Sequence, residues 1–235
     1  MSLMENIAAY RAGIAFYKKQ YEKAEELYNK ICSKPNVSPV LILKYAYLEI
    51  YLGKKKACKE LLDKVDYEKL SDDSIKNTYK QTEGLYLWKN NELDKAIEIY
   101  EDLHTNYKNT SIYETLGYLY IVDKNYEKAL SYNQEAYEYS NDNNVIIDNL
   151  AESYYFLGDY TKAKELYEKM LSQEEIKLPK FPEAYYYYGM ILKNENNLNE
   201  ASRLLKKALE MRESNLSILT RKKIKEDLDE INELI

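Results

Sequence analysis

Histidine is nearly absent: the 235 residues hold one, His104. Metal centres and activated nucleophiles draw on several imidazoles or on an oriented base, so a single histidine argues against both. His104 falls near the end of a helical stretch, with Asn106 following, and reads as a solvated residue at a helix C-terminus. Cysteine is as scarce. Cys32 and Cys58 lack Cys-x-x-Cys spacing and suggest buried or idle thiols in a reducing compartment, a bridge between neighbouring helices being the alternative. Only 6 Gly and 4 Pro argue against a fold of strands and turns. No Gly/Pro/Ser-rich linker divides the chain. No long apolar run exists either: the most apolar stretch, Val40 to Leu52, is too short to cross a bilayer and carries Lys44 and Glu49. Met1-Ser2-Leu3-Met4 lacks a basic region followed by an apolar core, so no signal peptide is expected. The abrupt helix start near Glu5 fits a chain from which a leader or anchor has been trimmed.

Positive charge is in deficit. Lys and Arg total 34 against 40 Asp and Glu, a formal net charge of −6, which argues against a nucleic-acid surface. The basic patches at Lys54 to Lys56 and Arg221 to Lys225 are small and flanked by acids. Gly53-Lys54-Lys55-Lys56 lacks the preceding glycine and following hydroxyl of a phosphate loop and reads as a lysine-rich turn. Acidic pairs such as Glu25-Glu26 and Glu174-Glu175 fall on outer faces or loops, with no acid/base signature. No catalytic, metal or cofactor site is expected, and the chain reads as non-enzymatic.

What the chain has in quantity is tyrosine, 27 residues, together with 31% charged and 45% apolar residues. That balance suits amphipathic helices with solvated backs, tyrosine replacing Phe and Leu where the core meets water. The Lys/Asn/Ile/Tyr-rich composition also suggests an AT-rich bacterial genome. Between Asn109 and Ser172 one pattern occurs twice. Leu116, Gly117, Tyr120, Tyr126, Ala129 and Ala136 recur 34 residues later as Leu150, Ala151, Tyr154, Tyr160, Ala163 and Met170. Such a period marks a helical hairpin copied along a solenoid. Small residues at Gly117/Ala151 and Ala129/Ala163 let antiparallel helices approach closely. Since a helix-interior glycine costs about 1 kcal/mol against alanine, Gly117 is expected to have a packing reason. Asp123-Lys124-Asn125 and Leu157-Gly158-Asp159 read as the turns.

Leu-Gly-x-x-Tyr…Tyr-x-x-Ala at this period resembles the tetratricopeptide repeat. Tyr113 and Ile147 stand where the family usually has Trp, and the usual terminal Pro is absent from both copies. The resemblance implies an all-α fold, a right-handed α-solenoid of about six helical hairpins with a C-terminal capping helix. As one domain over 1–235, the repeats fall at about 6–35, 39–65, 77–106, 110–143, 144–172 and 181–212. The small first-helix residues are then Gly13, Ala46, Gly84, Gly117, Ala151 and Gly189. Longer intervals mark insertions at Asp66 to Lys76 and Glu174 to Glu183, each lengthening a second helix or its following loop; the second, with Pro179 and Pro182, is an interrupted connection that also has the option of folding over the groove. In the segment 215–235, Ile218, Ile224, Leu228, Ile231 and Ile235 form an apolar stripe suited to capping. A docking helix is the sharper reading.

In this family first helices line the concave face and hold the ligand. Projected onto this chain, the groove carries Lys44, Tyr47, Tyr51, Trp88, Tyr118, Asn149, Tyr155 and Tyr187, with Tyr10, Ile14, Tyr17, Glu114, Asp148, Glu152 and Tyr186 beside them. Rigid aromatics are favoured anchors, and the Asn149 amide is suited to the backbone of an extended peptide. The clamp by which some members bind carboxylate-terminal chaperone peptides is not matched, because Glu114, Tyr118 and Glu183 stand in its slots. The expected function is a non-enzymatic scaffold or adaptor holding a peptide or helical segment of a protein partner, without nucleic acid, membrane span or cofactor. It is expected in the cytoplasm as a monomer or weak homodimer. The alternative is the soluble part of a membrane-anchored or envelope-associated assembly factor.

Overall fold

A computed structural model describes residues 3–174, 177–179 and 181–235. Met1 and Ser2, read above for a leader, and Glu175 of the acidic pair lie outside them. Every regular element among the described residues is helical. The α-helices are α1 Leu3–Tyr17, α2 Tyr21–Cys32, α3 Pro39–Tyr51, α4 Lys55–Leu62, α5 Asp73–Lys89, α6 Leu93–Asn106, α7 Thr110–Val122, α8 Tyr126–Tyr139, α9 Asn144–Phe156, α10 Tyr160–Leu171, α11 Pro182–Asn194, α12 Leu198–Glu210 and α13 Arg221–Glu233. They form two compact units, Met1–Leu103 and His104–Ile235. In the first unit α1 pairs with α2 and α3 with α4, and α3 packs on both α2 and α5. In the second, α7/α8, α9/α10 and α11/α12 are the hairpins, first helix stacks on first helix (α7 on α9, α9 on α11), and α13 packs on α12.

One device closes the hairpins. Lys19, Gly53, Asn91, Lys124, Gly158 and Asn196 take the left-handed conformation, with φ between 58° and 82°. The next residue then turns its N–H back onto the helix just left: Gln20 to the Ala15 carbonyl at 2.8 Å, Asn125 to Tyr120 at 3.1 Å, Asp159 to Tyr154 at 2.9 Å. These bonds satisfy carbonyls that a helix end otherwise strands. The next helix starts two residues beyond the left-handed position. Asn125 and Asp159 cap α8 and α10, their side chains accepting from the Lys128 and Lys162 N–H groups. Asp72, Asn109 and Asn143 do the same for first helices α5, α7 and α9. Pro39 and Pro182 occupy the first turn of α3 and α11, where a missing N–H costs nothing.

Of the two outcomes open for the insertion at 66–76, the loop after the second helix is the one lengthened, and three other local readings need correction. The insertion at 66–76 leaves α4 with only 8 residues; its front forms a loop with a 3₁₀ turn at Tyr67–Lys69, and its end adds a turn to the front of α5, because Asp72 caps there. The capping helix begins at Arg221, not 215. Ser214 and Ser217 accept from the N–H groups of Leu216 and Leu219, local bonds that compete with helix, and Thr220 then caps α13 through the Lys223 N–H. Ile224, Leu228 and Ile231 are buried as a cap requires, while Ile218 and Ile235 are exposed. His104 is not solvated. Its ring sits edge-on to Tyr113 and Tyr132, each at 5.0 Å, and burial lowers its pKa. Gly13 is not a packing contact either: a β-carbon there would meet nothing within 4 Å, and neighbouring Ala12 takes the buried place. Cys32 and Cys58 are free and buried, and burial pushes their thiols up to about 11 and about 12.

Gly117 does have its packing reason. A β-carbon there would lie 1.9 Å from Asn133 Oδ1. The Asn133 amide is itself buried and donates to the Asn149 carbonyl at 3.2 Å and to Ser153 Oγ at 2.9 Å, so it cannot retreat without breaking a network that joins α8 to α9. Gly117→Ala is expected to destabilise the fold by about 2–3 kcal/mol, from overpacking and the lost buried hydrogen bonds. Gly13→Ala is expected to stabilise it by about 0.5–1 kcal/mol, as a helix-interior glycine with free space around it. Urea unfolding of both variants checks the pair; a parental midpoint for Gly117→Ala would show that Asn133 is not the constraint.

Candidate partner-binding face

The first helices carry the candidate face, and the two units treat it differently. In the first unit it is open. On α1, Ile7, Tyr10, Ile14 and Tyr17 follow one another at intervals of three and four residues, and all are exposed, Tyr10 at 72% and Tyr17 at 87%. On α3, Lys44 and Tyr47 are exposed as well. Tyr47 and Tyr51 pack against Phe16 of α1, ring centroids 6.0 and 5.4 Å away, and the Tyr51 hydroxyl meets that of Tyr21 at 3.2 Å. Tyr51 is thus half-buried, its ring one wall of the α1–α3 contact. Trp88 departs from expectation. Its indole is buried, with the Lys89 ammonium 4.5 Å from the ring centroid, so it is packed in the unit's core and presents little surface to a partner.

In the second unit the corresponding face is covered by the chain itself. The Tyr118 hydroxyl on α7 accepts a hydrogen bond from the Ile218 N–H at 2.9 Å. Ser217 bonds to both Tyr118 and Glu183. On α11, the Tyr186 hydroxyl donates to Asp227 Oδ2 at 2.7 Å and Lys193 pairs with Glu230 at 2.8 Å, which ties α13 down. Tyr155 and Tyr187 lie tilted against each other, centroids 4.9 Å apart, and Tyr187 is buried. Asn149 is not offered to a peptide. It is 2% exposed, its amide donates to the Glu114 carbonyl at 2.8 Å, and its own carbonyl accepts from Ser153 and Asn133, so its groups serve the stacking of α7, α8 and α9. Ser217, Ile218 and Asp227 were not legible as face residues, because their segment reads as an amphipathic cap. The signal available was the pair of serines ahead of Thr220, which interrupts a helix.

Three carboxyls lie under that cover. Asp148 and Glu152, one turn apart on α9, and Glu183 on α11 are buried, and loss of solvation pushes the pKa of each upward, with mutual repulsion adding to it at Asp148 and Glu152. Tyr118 is raised for the same first reason. No group of three His, Cys, Asp or Glu side chains disposed to hold a metal occurs among the described residues. No helix among them is long and apolar enough to cross a membrane.

Comparison with known proteins agrees with this architecture. Residues 82–144 and 149–215, and separately 8–36, match the tetratricopeptide repeat. The chain belongs to the tetratricopeptide-repeat family. A TPR repeat-containing protein of Methanocaldococcus jannaschii is 28% identical over 154 residues, 65% of this chain but 26% of that protein, so the chain spans about a quarter of that protein's length. Among solved structures, a thermophilic TPR protein of Thermus thermophilus superposes with a TM-score of 0.64 at 17% identity, covering 83% of this chain and 99% of the other. PilW, a type IV pilus biogenesis factor, does so with a TM-score of 0.65 at 14% identity, covering 88% and 93%. At these identities the likeness is one of fold. Proteins of this family are in general non-enzymatic scaffolds for protein–protein interaction, and the family membership supports that class here.

The raised carboxyls make a pH prediction. Protons held more tightly in the folded state stabilise it fully below the ordinary carboxylate range, and that stability is lost as pH rises through the raised values. Glu152→Gln removes the proton requirement. Its melting temperature is expected to exceed the parent's between pH 5 and 8, with a gap that widens as pH rises, readable by calorimetry across that range. A constant gap, or a lower melting point throughout, would contradict the assignment.

Proposed function

We propose that this chain is a non-enzymatic adaptor that holds a peptide or helical segment of another protein on the inner, first-helix face of its repeats. The observation that carries this is the stripe on α1. Four large apolar side chains at helical spacing remain in water, although a helix normally turns that stripe inward. Tyr10 and Tyr17 would anchor the partner with rigid, amphipathic rings, and Tyr47 would extend the contact onto α3, where Tyr51 backs it. Exposed Lys44 would sit at the polar rim of the same surface. In the second unit Tyr118, Tyr155 and Tyr187 belong to the equivalent face, with the chain's own C-terminal segment over it.

Selection of a random peptide-display library on the full chain tests this. Peptides recovered on the parent are expected to lose at least tenfold in affinity on a Tyr17→Ser, Tyr47→Ser variant, since truncated aromatic anchors cost about 2 kcal/mol or more each. Equal affinity for both proteins, with the variant folded by circular dichroism, would move the partner to another face.

A further inference from the structure

The covered face of the second unit holds groups that its cover does not satisfy. Asp148, Glu152 and Glu183 are 4, 1 and 6% exposed. Asp148 and Glu152 hydrogen-bond to each other and Glu183 to Ser217, but Asp148 Oδ1, both oxygens of Glu152 and Glu183 Oε2 accept no donor from the surrounding structure, and none of the three carboxyls is in a salt bridge among the described residues. A fourth group stands apart from the acids. The Tyr167 hydroxyl on α10 is fully buried and unpartnered, and the charges it feels most are those of Asp148 and Glu152. Buried polar atoms are normally paired, and each one that is not calls for an explanation. Tyr118 and Tyr187 lie close enough to Glu152 for its charge to bear on their hydroxyls.

The cover is residues 213–219, between α12 and α13. Over this cluster it supplies two neutral groups, the Ser217 hydroxyl and the Ile218 N–H. Of its side chains only Leu219 is buried, and Ile218 is exposed. Its bonds include local ones, from the Arg221 N–H to Glu213 and within the two serine turns. A strap of this kind fills the space without matching the chemistry beneath it.

We infer that the inner face of the second unit is a site for an arginine side chain of a partner protein, received by Asp148, Glu152 and Glu183 beside Tyr118 and Tyr187, and that residues 213–219 are a displaceable strap that keeps the place in its absence. Guanidinium fits the orphaned oxygens better than ammonium. Its five donors lie in one plane and address several carboxyl oxygens at once, whereas ammonium is a compact point charge with three. One ionised carboxylate balances the guanidinium, and the other two remain protonated, so no net charge is buried. This inference rests on the proposed inner-face adaptor reading and names the chemistry its partner must carry.

The test uses the full chain and four pools of extended nonapeptides, identical in their randomised flanks and carrying Arg, Lys, citrulline or Leu at the centre. Citrulline keeps the shape of arginine without the charge. The Arg pool is expected to bind at least tenfold more tightly than the citrulline pool. Tyr118→Phe keeps the ring but removes the strap's acceptor, and is expected to raise that affinity severalfold. Glu152→Gln with Glu183→Gln is expected to abolish the preference for arginine. Amide hydrogen exchange at Ile218 gives a readout independent of the variants' affinity: it should quicken when the Arg pool is added to the parent and stay unchanged with citrulline. Equal binding of all four pools, or an arginine preference that survives the double Gln variant, overturns the inference. If the pools bind without regard to the central residue and Tyr17→Ser, Tyr47→Ser weakens them all, the adaptor reading stands and the arginine site falls. If none of the pools binds, both fall.

Discussion

A helical hairpin of some thirty residues has apolar surface on two sides and covers only the one between its own helices. Everything else in this molecule answers to that deficit. Each hairpin must be stacked on another, and the stacking must be repeated at a fixed offset, which is why the turns are alike while the side chains around them vary. The left-handed residue at each hairpin turn is the device that keeps the offset. It reverses the chain in three residues, returns an N–H to the helix it leaves, and launches the next helix from the same angle each time. Four of these six positions are not glycine; Asn91 and Asn196 tolerate the left-handed region, while at Lys19 and Lys124 the geometry is kept against the residue's preference. Where the stack stops in the second unit, α13 supplies the missing neighbour for α11 and α12 with Ile224, Leu228 and Ile231.

Periodicity made most of this legible in the sequence. The pairing of Leu116-Gly117 with Leu150-Ala151, and of Tyr126 with Tyr160, located α7 to α10 because small residues and aromatics at those places have one structural use. Helix starts were legible where Asn or Asp precedes an apolar run, as at Asn109 and Asn125. What sequence reasoning could not see is which polar side chains are spent internally. Asn149 and Trp88 have the composition of a binding surface, and only their contacts reveal that one ties α9 to α7 and the other lies in a core. Gly13 and Gly117 look alike in the repeat register, yet one faces open space and the other a buried amide, a difference made by Asn133 on the facing helix. Residues 213–219 were hidden for a related reason: an apolar stripe continues through them at helical spacing, but the serine hydroxyls claim the backbone N–H groups first.

The two inner faces invert the usual association of polarity with exposure. In the first unit tyrosine and isoleucine meet water, while in the second carboxyls lie beneath a strap. Burying three acids without a cation is costly, and a core of the same shape in leucine would be more stable. Such an arrangement spends stability on specificity, because few groups other than a well-placed donor set improve on it. The open face of α1 has the opposite character: it gains from almost any apolar surface that approaches, and discriminates little.

The bond between Tyr118 and Ile218 spans one hundred residues of chain, whereas the hairpins close within about thirty. During synthesis α7 to α10 are therefore complete well before their inner face can be covered. In that interval Asp148 and Glu152 are in water and ionised, and they repel one another along α9 until α11 adds Glu183 to them. The nascent unit passes through a stage at which its inner face is a charged, hydrated trough, and closure by the C-terminal segment is a distinct, late step that takes up protons from solvent.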